Sequence, residues 1–155
     1  MTLVSRASPV KVDFSHFTAD PLHEDDFVGL AGFRFALRRF LNFSEAAVKS
    51  AGITSQQYQT MLAIRASADQ ELSMKALAKE MMLKPNGAVQ LVDRLEALGM
   101  VQRRSVSDDR RRVLITLTRL GNQLVEVLAA EHSAELVRQR PLLVESLRRL
   151  TSITG

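Results

Sequence analysis

The sequence predicts a mainly α-helical protein with one small β wing. Three observations carry this. Apolar residues recur at helical spacing through most of the 155 residues. Two short helical segments meet at a tight turn around Lys84-Pro85. From Met100 the pattern changes to short extended runs, and arginines crowd between them.

Residues 1–22 read as an irregular arm, bracketed by Pro9 and Pro21 and carrying Phe14 and Phe17. Glu24, Asp25 and Asp26 suit a first helical turn, where acids favour the helix dipole. Phe27, Leu30, Phe33, Leu37, Phe40 and Leu41 then follow at helical spacing, with Val28, Phe35 and Phe43 on other faces. A helix apolar on several sides is buried on several sides, and a second copy of the chain suits the second side. This helix fades near Lys49–Gly52. Thr54 and Gln57 form a capping box that opens the next helix, which runs to about Ala66, with Ile53 and Tyr58 placed as a hydrophobic staple.

Leu72-Ser73 opens another helix, with Ser73 as its N-cap, running to Met82. Pro85 starts the next, since proline is well tolerated at a first helical position. Its inward stripe is Ala88, Leu91, Val92 and Leu95, and Gly99 stops it after Leu98. Met100–Arg104 is extended, Ser105–Asp109 turn-like, and Val113–Leu117 a strand. Together they form a hairpin whose tip carries the arginines. Thr118 caps a long helix, with Gly121 tolerated in its first turn and Val125, Leu128, Ala129, His132 and Leu136 along one face. Pro141 interrupts it, and Leu142–Ile153 forms a last short helix.

Composition narrows the function. There is no cysteine, so disulfides, thiolate metal sites and thiol redox sensing are excluded. Hydrophobic content of 46% and charged content of 25% are those of an ordinary globular protein. No run approaches the roughly 20 apolar residues of a membrane span, and the N-terminus lacks the apolar core of a signal peptide, so a cytoplasmic protein is expected. Glycines show no phosphate-loop spacing, and His16, His23 and His132 show no metal-ligand spacing. No catalytic residues, no cofactor and no metal are expected.

Charge is concentrated. Between Arg103 and Arg119 lie six arginines and two aspartates, which account for the whole formal surplus of +4. Charge gathered in one segment points to a polyanion. A helix pair with a tight turn followed by a basic hairpin is a winged helix-turn-helix, whose second helix enters the major groove. Its outward residues are Asn86, Gly87, Val89, Gln90 and Arg94. Asn and Gln pair bidentately with adenine, and Val meets a thymine methyl. Ser73, Lys75, Lys79 and Lys84 suit the phosphate backbone, which positions without specifying. The same scaffold could instead set its basic wing on an acidic protein.

Gly52–Tyr58, Val92–Gly99 and Asp109–Thr118 followed by Gly121 resemble the multiple antibiotic resistance regulator (MarR) family. The resemblance runs from about Glu24 to the end of the chain. It implies a winged-helix homodimer that binds a pseudo-palindromic double-stranded DNA operator, most often as a repressor. It divides the chain into a dimerisation helix at 23–52, a DNA-binding domain at 53–118 and further dimerisation helices at 119–155. In the family's Asp-x-Arg wing motif the Asp orients the wing and the Arg enters the minor groove. These roles fall on Asp109 and Arg111, with Arg110 beside them; the register Asp108 with Arg110 stays open. The chain departs from the family at Asn86, Gly87, Val89 and Gln90, which are specificity positions. The resemblance also implies an effector cleft for small aromatic ligands between the DNA-binding lobe and the dimer helices. Phe40, Tyr58 and His132 are its candidate lining.

Overall fold

The computed structural model describes residues 21–106 and 109–150 with positions 11, 13 and 15, and at 106 and 109–112 the backbone alone. The arm rings Phe14 and Phe17, together with Asp108 and the last five residues, lie outside the described residues. The chain forms α1 (Glu24–Ser50), α2 (Ser55–Ala66), β1 (Glu71–Ser73), α3 (Met74–Glu80), α4 (Pro85–Ala97), β2 (Val101–Val106), β3 (Asp109–Leu117) and α5 (Arg119–Leu150).

Local chemistry sets most boundaries. At α1 the Asp26 carboxylate accepts from the His23 backbone N–H at 2.9 Å. At α2 the capping box forms as expected: Gln57 N donates to Thr54 Oγ1 at 3.2 Å, and Thr54 N donates to Gln57 Oε1 at 2.8 Å. Ser73 Oγ accepts from Ala76 N at the start of α3. Helices α1 and α4 end in Schellman motifs closed by Gly52 (φ +74°) and Gly99 (φ +70°). Helix α3 ends the same way, with Leu83 N donating to Ala78 O and Met82 N to Lys79 O, but its left-handed residue is Met82, at φ 51°.

Three expectations are corrected. Leu72-Ser73 does not simply open a helix: Glu71–Ser73 pairs antiparallel with β3, placing β3 in the middle of a sheet ordered β1-β3-β2. A three-residue strand has no periodicity of its own, and it forms because β3 offers an unpaired edge. Nor does Pro141 divide the last helix, since α5 is continuous from Arg119 to Leu150. An interior proline loses one hydrogen bond and costs about 3 kcal/mol. Packing on α1 on both sides of it, with Gln139 and Ser146 buried, holds the helix together. Gly121 is required, not merely tolerated. A Cβ there would lie 2.1 Å from the Met100 carbonyl oxygen.

Helices α1 and α5 pack antiparallel. The contact uses small residues: Gly29 meets Ser146 and Arg149, and Gly32 faces the Ser146 hydroxyl. Many large apolar residues of α1 point elsewhere; Phe27, Val28, Leu30, Phe35, Leu37 and Leu41 are exposed, as are Val127, Val137, Val144 and Leu147 on α5. One core runs through the remainder. Val48 of α1, Tyr58, Met61 and Ile64 of α2, Leu77 of α3, Val92 and Leu95 of α4, Val101, Ile115 and Leu117 of the sheet, and Val125 and Leu128 of α5 form a single cluster. The helix pair and the α2–β3 lobe are thus packed on each other. Among the described residues no helix is long and apolar enough to cross a membrane.

Candidate nucleic-acid interface

Helix α4 buries Ala88, Leu91, Val92 and Leu95 and leaves the opposite face open. Asn86, Gln90 and Asp93 follow one another at i, i+4 and i+7 on that open face, and all are exposed. Val89 is exposed on the flank nearer the wing, and Gly87 is half-buried. Arg94 leans the other way. It lines a cavity of about 540 Å³ together with Glu45 and Lys49 of α1 and the start of α2. Lys75, Lys79 and Lys84 are exposed around the turn between α3 and α4. Ser73 spends its oxygen on the α3 cap and is half-buried.

The wing is a hairpin of β2 and β3. The ladder is regular from Val101↔Leu117 to Ser105↔Val113, and the next pair is Val106↔Asp109. Arg110–Arg112 therefore fall in a bulge, opposite no residue of β2. The side chains of Asp109, Arg110 and Arg111 lie outside the described residues. Two other arginines of the basic segment are engaged inside the lobe. Arg104 pairs with Glu71 of β1 at 2.5 Å. Arg103 reaches back to α4, one guanidinium nitrogen on Asp93 and another on Glu96. The hydrogen bond that Arg103 donates to Asp93, above all, together with the neighbouring Glu96 charge, outweighs desolvation and holds Arg103 more firmly charged than a free arginine. Charge counting along the sequence could not show that these two arginines are paired.

Phe40, Tyr58 and His132, which come from three different helices, meet in one place. They line a cavity of about 320 Å³ with Ser44, Gln59, Leu62 and Ser133 among the other walls. The His132 ring stacks on Tyr58 at 4.6 Å between centroids, with Phe40 and Phe43 edge-on at 5.8 and 5.7 Å. Its Nδ1 lies 2.6 Å from the Leu128 carbonyl and its Nε2 lies 2.8 Å from Ser44 Oγ. In the neutral ring Nδ1–H donates to the carbonyl and Nε2 accepts from the hydroxyl. Burial pushes the Tyr58 phenol above its ordinary pKa. Sequence reasoning did not single out Phe43 and Ser44. The signal was there for Ser44, one helical turn beyond Phe40 on the same face.

Comparison with known proteins agrees with this architecture. Residues 51–112 match the model of the MarR family. The multidrug efflux regulator MepR of Staphylococcus aureus superposes with a TM-score of 0.67 at 21% identity, over 79% of this chain and 96% of MepR. MepR in complex with DNA gives 0.62 at 22% identity, over 79% and 98%. AbsC, a MarR family transcriptional regulator from Streptomyces coelicolor, gives 0.64 at 21% identity, over 78% and 82%. No curated protein matches the chain.

Proposed function

We propose that this chain, a winged-helix protein of the MarR family, is a sequence-specific DNA-binding transcriptional regulator, a repressor that acts as a homodimer on a pseudo-palindromic operator. The observation that carries this reading is the pairing of an exposed Asn86–Gln90 face on α4 with a wing whose ladder skips Arg110–Arg112. In this reading α4 reads base edges through Asn86, Val89 and Gln90, with Gly87 beside them and Arg94 on the flank. Lys75 and Lys84 meet phosphates, and Ser73 donates its hydroxyl hydrogen to one while its oxygen caps α3. Asp109 orients the wing while Arg110 and Arg111 enter a narrow minor groove, whose enhanced negative potential attracts guanidinium groups. The exposed apolar faces of α1 and α5 pair two copies, setting the two α4 helices about 34–36 Å apart.

Selection of bound duplexes from a random pool tests this directly. An enriched inverted repeat is expected. Affinity for it should fall steeply with salt, and Arg111→Ala should flatten the log–log slope by about one. A pool with no enrichment and no affinity at low salt would overturn the reading and leave the wing for an acidic protein partner.

The cavity around Phe40, Tyr58 and His132 is the effector site in this reading. Among the described residues its lining holds no lysine or arginine, and both nitrogens of His132 are already engaged. A carboxylate there would have hydroxyl and amide donors but no cationic partner, and would carry a desolvation penalty that a neutral group does not. A neutral aromatic fits better than the aromatic acids common in the family. Such a ligand relieves repression by favouring a dimer whose α4 spacing does not match the operator. Tyr58 is the only tyrosine and there is no tryptophan, so intrinsic emission reports on this cavity alone. Benzyl alcohol should change Tyr58 emission in a saturable way, and benzoate, its anionic counterpart, should bind about tenfold or more weakly. Equal binding of both would rule out the neutral-ligand assignment.

A further inference from the structure

The helix that faces DNA in the reading above carries an electrostatic liability. From Lys84 to Leu98 its charged residues are Lys84, Asp93, Arg94 and Glu96, so its formal charges cancel. Asp93 continues the stripe of Asn86 and Gln90, and its side chain is 56% exposed; that of Glu96 is 41% exposed. Two carboxylates thus stand at the edge of a surface meant to approach a polyanion. Duplex DNA presents one negative charge per about 1.7 Å of axis, so bare carboxylates there are repelled.

Arg103 sits in β2 at the other side of this edge. Its position is fixed by the register Arg103↔Ile115, and Ile115 is fully buried. The guanidinium divides its nitrogens between Asp93 and Glu96. We propose that Arg103 is a masking residue: it serves DNA binding by neutralising Asp93 and Glu96 on the recognition helix, not by touching a phosphate. This rests on the DNA-binding reading and adds to it a positioning residue on β2 and an explanation for its two acidic partners.

Substitution at both ends of the contact separates masking from a merely structural brace. The chain, Arg103→Ala, Asp93→Asn/Glu96→Gln and the triple combination are titrated against a mixed-sequence 30-base-pair duplex at low salt, with melting curves confirming that each is folded. Arg103→Ala should bind about tenfold or more weakly, through like-charge juxtaposition. The triple variant, with no arginine and no carboxylates, should return to within about threefold of the parent. Asp93→Asn/Glu96→Gln should bind tighter than the parent and with a steeper salt slope, because Arg103 is then released toward DNA. A triple variant as weak as Arg103→Ala, or a double variant no tighter than the parent, would overturn masking. Should Arg103→Ala fail to fold, the double variant decides alone. A parent chain that binds no duplex at low salt overturns the DNA-binding reading itself, and this proposal with it.

Discussion

Gly121→Ala should melt roughly 10 °C below the parent chain, the effect of about 3 kcal/mol of overpacking in a chain of this length. The reason lies in how α5 joins the lobe. Thr118 N donates to Met100 O at 3.0 Å, and the Thr118 hydroxyl donates to Gly99 O at 2.6 Å. The same hydroxyl oxygen accepts from Gly121 N at 3.0 Å, capping α5. The start of α5 is therefore seated on the turn that ends α4, with backbone against backbone. A methyl at 121 would sit 2.1 Å from Met100 O and 3.0 Å from its carbonyl carbon. No rotamer change can relieve a clash with main chain.

Gly87→Ala is the matched control. The nearest atom to a Cβ there is Leu83 Cβ at 3.8 Å, which is ordinary contact. Within a helix that substitution should stabilise by about 0.5–1 kcal/mol. Melting at equal protomer concentration compares the two, since oligomerisation makes the midpoint depend on concentration. If Gly121→Ala melted with Gly87→Ala, the seating of α5 on Met100 would not be rigid. Because nothing in the fold requires Gly87, any loss of DNA affinity in Gly87→Ala would come from the interface itself.

What could be read from the chain alone was whatever is decided within one helical turn. The Thr54–Gln57 box, the Ser73 and Thr118 caps and the stop at Gly99 are contests between neighbouring groups, and they formed where local chemistry placed them. Features decided by distant partners were hidden. Strand β1 exists for the sake of β3, forty residues on in round terms, and Pro141 stays helical because α1 lies along it. The site divides the same way. Phe40, Tyr58 and His132 each sit on an inward helical face, but the cleft they were assigned to came from the family resemblance and not from their types or phases. The engagement of Arg103 with Asp93 and Glu96 joins a strand to a helix, and no spacing rule along the chain announces it.

For the homodimer proposed above, Phe27→Asp combined with Val144→Asp should give a monomer and reduce operator affinity by about 10²–10⁴-fold, the loss expected when two half-sites are no longer engaged by one linked particle. Both positions are surface in the single chain, at 54% and 58% exposure, so the fold of the protomer should tolerate the change within about 0.5 kcal/mol. They lie at the same end of the α1–α5 pair, where Asp25 bonds Arg149 at 2.6 Å, Gly29 abuts Ser146, and Val28, Leu30 and Leu147 are also exposed. An apolar surface of that extent on a chain this small marks an interaction site. Around the two-fold axis of the proposed homodimer each substitution enters the interface twice, so the double variant would place four carboxylates in an apolar contact. Unpaired charges there are strongly destabilising. Sedimentation equilibrium reads the assembly state and fluorescence polarisation reads the affinity. A parent chain that sediments as a monomer would refute the homodimer. A variant that loses operator affinity while remaining dimeric would place the apolar faces outside the dimer contact, and the pairing of copies would have to be sought on another surface.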